Sequence, residues 1–434
     1  MLRELNVKFS NFLLSLSDTM DMANPAIAAH QLRTAFIAWR LAKEAGFPEK
    51  EIEKIYLAAL LHDIGALTLE EKQKLHGGFD ETNLETHCVL GAALFQLSPL
   101  LKPSADIVRY HHRAWEDWDK TIDSPGVADA QILVLADEIE RMIHRKHYIL
   151  HQVDGIASQI MVLSGTKIHP DIVDVFMGLS RQEDFWLDLA SSRLYSILLH
   201  SGPFRLVEIE QDDITSIASI FRHVIDFKSR FTATHSTGVA KSAVLLSKYF
   251  GLTSTEIGQM KIAGYFHDLG KLAIPNSILE KPGRLTQEEF QIIKQHTYFT
   301  YTVLNSIGGL DLIAEWAAFH HEKLDGSGYP FHLKADKINI GARIMAVADI
   351  FTALVEDRPY RRGMGRKQVE EILTTNARNG ALDRYIVSLL LENYEDISSQ
   401  VRSEQKISER MFEMKFQRAE ECLSGESYGQ QPPA

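Results

Sequence analysis

Seven histidine and aspartate residues occur twice in this chain in the same order, and that repetition limits the possible folds more than any other feature. His30, His62, Asp63, His87, His111, His112 and Asp137 in the first half correspond to His235, His267, Asp268, His296, His320, His321 and Asp349 in the second. The separation is 205 residues for the first three pairs, 209 for the next three and 212 for the last, so two small length differences align all seven. Flanking residues agree: Ala59-Leu60-Leu61-His62-Asp63-Ile64-Gly65 runs beside Gly264-Tyr265-Phe266-His267-Asp268-Leu269-Gly270, and Leu135-Ala136-Asp137 beside Val347-Ala348-Asp349. With only 18 histidines among 434 residues, chance registration is a poor explanation, and the chain reads as an internal duplication.

Helical periodicity dominates between the donors, and few runs alternate as strands do. The pattern predicts helices over Ile27–Ala45, Glu51–Asp63, Asp129–His144, Asp184–His200, Ile214–Arg230, Ser236–Phe250 and Glu256–His267. Thr253 with Glu256 and Thr286 with Glu289 have the spacing of capping boxes, and Gly251 ends a helix. Ile274–Leu285 and Asp325–Asp336 read as loops, and the Gly-Pro step and acidic run in Ser201–Asp213 mark a boundary. The expected fold class is all-α, two tandem helical bundles over 1–202 and 203–398, followed by a C-terminal helix and flexible tail over 399–434.

Composition narrows the function. There are 58 acidic against 46 basic residues, a formal net charge of -12, the wrong sign for coating bulk nucleic acid or anionic membrane. Any phosphate must therefore meet a local basic cluster. The two cysteines, Cys88 and Cys422, form no Cys-x-x-Cys pair, which argues against a disulfide framework or a thiolate zinc site. No apolar run approaches the roughly 20 residues that cross a bilayer, and Asn11–Ser17 lacks the marks of a signal peptide, so a cytoplasmic protein without membrane insertion is expected.

Lone histidines such as His144 and His223 read as satisfied core residues rather than ligands. An adjacent His-Asp pair ending an apolar helix is different: imidazole is a borderline nitrogen donor, and the carboxylate beside it can bridge two cations. His320 and His321 would point about 100° apart on a helix and could serve different ions. Five histidines and two aspartates suit iron, manganese, nickel, cobalt or zinc better than calcium or magnesium alone, and iron is the expected metal.

These residues carry a resemblance. From about Gln211 to Glu395 the chain resembles the HD-GYP phosphodiesterases of the HD metallohydrolase superfamily, through His267-Asp268-Leu269-Gly270-Lys271, His320-His321-Glu322-Lys323-Leu324-Asp325-Gly326-Ser327-Gly328-Tyr329-Pro330, and Asp349 followed by Arg358-Pro359-Tyr360-Arg361. The resemblance implies an all-helical domain with a non-haem metal centre that opens cyclic di-GMP, or in some members 3'3'-cyclic GMP-AMP, to a linear dinucleotide. It implies that His235, His267, Asp268, His296, His320, His321 and Asp349 bind metal, with Asp268 bridging. Lys271 matches a lysine beside the attacking oxygen and the scissile phosphate, Gly328 and Tyr329 match the pocket-lining loop, and Arg358 and Arg361 match phosphate contacts. Three-metal members carry a glutamate four residues before the first ligand; Phe231 stands there, so two divalent transition metal ions are expected and hydrolysis onward to mononucleotides is in doubt.

The first half resembles a degenerate HD-like module. Its seven donors form a possible second metal site, yet Ala66 stands opposite Lys271, Trp115-Glu116-Asp117-Trp118 replaces the Gly-Tyr-Pro loop, and Ile149 stands opposite Arg361, although Lys146 falls opposite Arg358. A regulatory role is expected, with the helix over Ile214–Arg230 joining the halves. The competing readings are a non-catalytic cyclic-dinucleotide receptor and a dinuclear-iron oxygenase. A homodimer or signalling partner proteins are compatible with the sequence.

Overall fold

The computed structural model describes residues 5–22, 28–66, 84–228, 234–356 and 362–424. Helices dominate these residues, and their one sheet pairs two short strands, Val7–Lys8 and Glu208–Ile209. The chain divides into two compact units, one of residues 8–208 and 415–434, the other of residues 1–7 and 209–414.

In the first unit, helices His30–Glu44, Glu49–Leu60 and Val127–Met142 pack together; the first and last carry His30 and Asp137, while His62 and Asp63 follow the end of the second. Phe36, Phe176, Phe185 and Trp186 are fully buried, each contributing about 1.5–3 kcal/mol or more by leaving water. Trp115 and Trp118 pack within their own unit, Trp115 against His169 and Trp118 against Tyr110 and Arg113. In the second unit the corresponding elements are His235–Phe250, Ser254–Phe266 and Ile340–Val355, with Gln287–Ile307 and Asp311–Ala318 completing the bundle. Helix Gln211–Phe227 buries Ile214, Ile217, Phe221 and Val224 in this unit, with Phe221 against Phe266, and so belongs to its core rather than being a bare connector.

Both expected capping boxes form, at Thr253 and at Thr286, and Gly251 closes its helix with φ of 92°. The expected helix over Asp184–His200 is instead two, Glu183–Leu189 and Leu194–Ser201. Ser191 Oγ accepts the Arg193 amide at 3.0 Å, a local bond that competes with the helical ladder. Glu51–Asp63 stops early as an α-helix, at Leu60, because the chain tightens into a 3₁₀ turn over His62–Gly65. Asn276–Leu279 forms one helical turn within the expected loop Ile274–Leu285. Phe231, Arg358, Arg361 and the tail beyond Ser424 lie outside the described residues.

Candidate metal centre

Helix ends and the turns beside them deliver five of the seven donors of the second unit. His235 opens its helix, His267 and Asp268 follow the last turn of Ser254–Phe266, His296 and Asp349 project from mid-helix, and His320 and His321 lie in the 3₁₀ turn Phe319–His321. That last pair was expected on an α-helix; in the tighter turn the two rings still sit side by side, with centroids 4.1 Å apart.

All seven donors converge. His235 Nε2 is 3.1 Å from Asp349 Oδ1, His267 Nε2 3.1 Å from Asp268 Oδ2, His296 Nε2 3.3 Å from Asp268 Oδ1, and His321 Nδ1 3.9 Å from Asp349 Oδ2. His267, His296 and His320 each donate from Nδ1 to the carbonyl three residues back, Gly264, Ile293 and Ala317, at 2.6 to 2.9 Å. This bond sets the tautomer and leaves Nε2 as a lone pair aimed inward. Burial presses the same way, pushing His296 down to about 3 and His320 well below the usual imidazole range.

The consequence is a cluster of acceptors facing acceptors. His296 Nε2 and His320 Nε2 lie 3.4 Å apart, both Asp268 oxygens face imidazole nitrogens, and buried His267 Nε2 has no hydrogen-bond partner. Burial would raise the Asp268 carboxyl, but the Lys271 ammonium beside it helps hold it well below the ordinary range. Converging lone pairs repel one another unless a cation lies among them, so the residues fit a metal centre. Two groups of donor atoms, one from His235, His267 and Asp268 and one from His296, His320 and His321, each fall within 4.8 Å.

Lys271 Nζ lies 2.5 Å from Asp268 Oδ2. Side chains three apart eclipse in a 3₁₀ helix, and Leu269–Ala273 is one, so the pair follows from the turn type. Gly270 is demanded by the same packing: a Cβ there would come within 2.0 Å of the His296 carbonyl oxygen. Gly65 meets the His87 carbonyl at the same distance in the first unit, so this part of the repeat reflects backbone proximity. The loop after His321 brings Tyr329 to 5.0 Å from the His321 ring, while Gly328 is buried against the backbone of His321–Lys323.

Several residues that shape the site were given no role by the sequence. Glu356, buried, faces His235 Nδ1 at 3.3 Å; Glu322, buried, accepts the amides of Phe331 and Leu333 at 2.7 and 2.9 Å and so pins the tyrosine loop. Thr300 Oγ1 accepts from the Gly270 amide and donates to the His267 carbonyl. Lys294 Nζ lies 5.5 Å from the Tyr329 ring centroid, adding a cation near that loop. The sequence signal for Glu322 was its place directly after His321 in the motif string; nothing comparable marked the others.

The first unit builds a parallel cluster. His30 Nε2 lies 3.2 Å from His62 Nε2 and 3.4 Å from Asp137 Oδ1, His87 Nε2 3.1 Å from His111 Nε2 and 3.6 Å from Asp63 Oδ1, and His112 Nδ1 3.9 Å from Asp137 Oδ2. His62 and His111 again donate to carbonyls three residues back. Glu140 takes His30 Nδ1 at 2.5 Å and is itself paired with Arg33 and Arg145. Despite burial, Glu140, Asp137 and Asp63 raise His30 to about 9.

The HD domain family matches residues 27–142 and again residues 219–386. The chain is 30% identical over 399 residues to the 3'3'-cGAMP-specific phosphodiesterase 1 of Vibrio cholerae, covering 90% of this chain and 93% of that protein. It is 24% identical to 3'3'-cGAMP-specific phosphodiesterase 3 of the same organism, covering 85% and 90% respectively. A cyclic di-GMP phosphodiesterase of Thermotoga maritima is 38% identical over 35% of this chain and 42% of its own length. A crystal structure of a V. cholerae cyclic GMP-AMP-specific phosphodiesterase shares the fold, with a TM-score of 0.62 at 22% identity over 90% of this chain and 98% of that one. Tandem family matches, a full-length relative and two converging donor sets together make this chain a member of the HD-GYP family, in the form that carries a second HD domain.

Proposed function

We propose that the second unit is a metal-dependent phosphodiesterase that opens a 3',5' linkage of a cyclic dinucleotide to give a linear dinucleotide. The observation that carries this reading is the acceptor-on-acceptor cluster around Asp268, with Lys271 at its edge. Two relatives that span both units are named for 3'3'-cGAMP, whereas the Thermotoga maritima cyclic di-GMP relative matches about a third of the chain. We therefore favour 3'3'-cGAMP over cyclic di-GMP.

His235, His267, Asp268, His296, His320, His321 and Asp349 would hold two divalent ions, iron first. Such a pair supplies Lewis acidity, lowering the pKa of water toward 7 and offsetting charge on the phosphoryl oxygens. The chain's own groups do the rest. Lys271, held by Asp268, is placed to pass a proton to the leaving oxygen or to stabilise its charge. Tyr329 offers an aromatic face for a base, and Arg358 and Arg361 supply phosphate contacts that the acidic chain otherwise lacks. The first unit, with Ala66 opposite Lys271, is a regulatory metal-binding module rather than a second active site.

The test is anaerobic incubation of the full chain, with its metal content measured, with 3'3'-cGAMP and with cyclic di-GMP, products being separated by chromatography. Linear dinucleotide from 3'3'-cGAMP first is expected. Tight binding without product would turn the reading to a receptor, and oxygen uptake coupled to substrate loss would turn it to an oxygenase.

A further inference from the structure

The two donor sets differ by one sulfur. Cys88, buried on helix Leu84–Phe95, directly follows His87, and its Sγ lies 3.6 Å from His87 Nε2 and 4.0 Å from His111 Nε2. The same two nitrogens are 3.1 Å apart and stand 3.6 and 3.9 Å from Asp63 Oδ1. Tetrahedral bonds of about 2.0–2.1 Å to nitrogen and about 2.3 Å to sulfur place ligand atoms about 3.3 Å apart for two nitrogens and about 3.6 Å apart for nitrogen and sulfur. Five of the six edges of a tetrahedron thus follow the outline of one site, to within about 0.6 Å, with the oxygen edges like those of nitrogen. His87, Cys88, His111 and His112 also present donor atoms within 4.8 Å of one another. In the second unit the corresponding residue is Thr297, whose hydroxyl instead donates to the Lys294 carbonyl.

We infer that Cys88 is a thiolate ligand of the first unit's metal centre, completing an N, N, S, O site with His87, His111 and Asp63. The inference rests on the proposal that this unit binds metal at all. Binding forms one metal–sulfur bond and releases the thiol proton to solvent, with no change of oxidation state. A soft donor selects zinc, cobalt(II) or iron(II) over manganese or magnesium, so the two units hold centres of different metal preference. The absence of Cys-x-x-Cys spacing, which argues against a thiolate zinc site, does not touch a single sulfur added to histidines.

The test loads the full-length Cys422→Ser protein with cobalt(II) under argon. In that chain Cys88 is the one remaining cysteine, since there are two in all. X-ray absorption at the cobalt edge is expected to show a sulfur neighbour, and the near-ultraviolet spectrum a thiolate-to-cobalt band. Both should survive His267→Ala, which disables the other centre, and vanish in Cys88→Thr, which copies the second unit. Manganese should load the second unit only. Cobalt retained by the His267→Ala protein with no sulfur shell overturns the thiolate and leaves the metal site standing; no retained cobalt removes both. Because the decisive spectrum needs no change at the buried cysteine, a Cys88→Thr chain that fails to fold does not blunt the test.

Discussion

The two units hold the same seven donors in the same order, but they surround them differently. In the second unit a lysine lies on the bridging-type aspartate and a pinned tyrosine loop lies against one histidine. In the first, Ala66 replaces the lysine, Arg141 approaches Asp137 at 3.5 Å from the next turn of its own helix, and Cys88 adds sulfur. Gathering donors is thus a property of the bundle, set by where helices end and by carbonyls that orient rings. Handling a phosphodiester depends on groups that the bundle does not specify, and a duplicated unit can lose those while keeping its donors.

The sharpest way to break this contrast is to remove matched donors. His267→Ala and Asp268→Ala should each lower turnover by more than about 10³-fold, roughly 4 kcal/mol on the barrier. His62→Ala and Asp63→Ala should leave substrate turnover within about threefold while reducing bound metal by mass spectrometry. Comparable losses from both sets would show two working sites and erase the distinction.

Next comes Lys271. Its replacement by alanine, as nature has at position 66, should cost about 10²-fold in kcat, the usual reach of one acid–base group, with metal content unchanged. If metal is lost in parallel, the lysine serves only to hold Asp268. The reciprocal Ala66→Lys should create no activity, because the tyrosine loop is missing as well.

Much of this was legible in the chain. The repeat, the adjacent His-Asp pairs and the glycine two residues after each Asp identified the donors, because each depends on local geometry that allows few substitutes. Glu356 and Glu140 were not legible, for an instructive reason. Each faces Nδ1 of its unit's first histidine, but Glu140 comes three residues after Asp137 and Glu356 seven after Asp349. The two units reach one physical end from different registers, so the aligned repeat could not reveal it. The break at Ser191 escaped the helical pattern similarly, since a side-chain hydroxyl competing for a backbone amide leaves hydrophobic spacing intact.

Those glutamates provide a smaller test. Partners behind a metal-binding histidine typically affect metal affinity by about 10–100-fold. Glu356→Gln should weaken metal retention and turnover together by that order, measured by chelator competition and steady-state assay. Glu140→Gln should weaken retention in the first unit alone. Its larger salt-bridge network with Arg33 and Arg145 should also make that loss the less recoverable by excess metal.

The smallest effect lies one shell farther out and concerns stability. Asp226 and Asp21 occupy matching positions, each accepting the backbone amide of the residue just after the first histidine, Ser236 at 3.1 Å and Gln31 at 3.0 Å. Asp226 also accepts the Ser236 hydroxyl at 2.6 Å. Burial nevertheless dominates, pushing its carboxyl up to about 6 against the opposing pull of Ser236, His235 and Arg222. A carboxyl raised in the folded state favours folding while protonated, so this contribution is full below about pH 4, the unfolded value, and is lost as pH rises through 6. In metal-free protein, the stability of Asp226→Asn relative to the native chain should therefore increase between pH 4 and 7, by at most about 3 kcal/mol. Denaturant midpoints across that window measure it. A difference that stays flat with pH would mean that the hydrogen bonds from Ser236 outweigh burial, and that the carboxylate is as much at ease beneath the metal centre as in water.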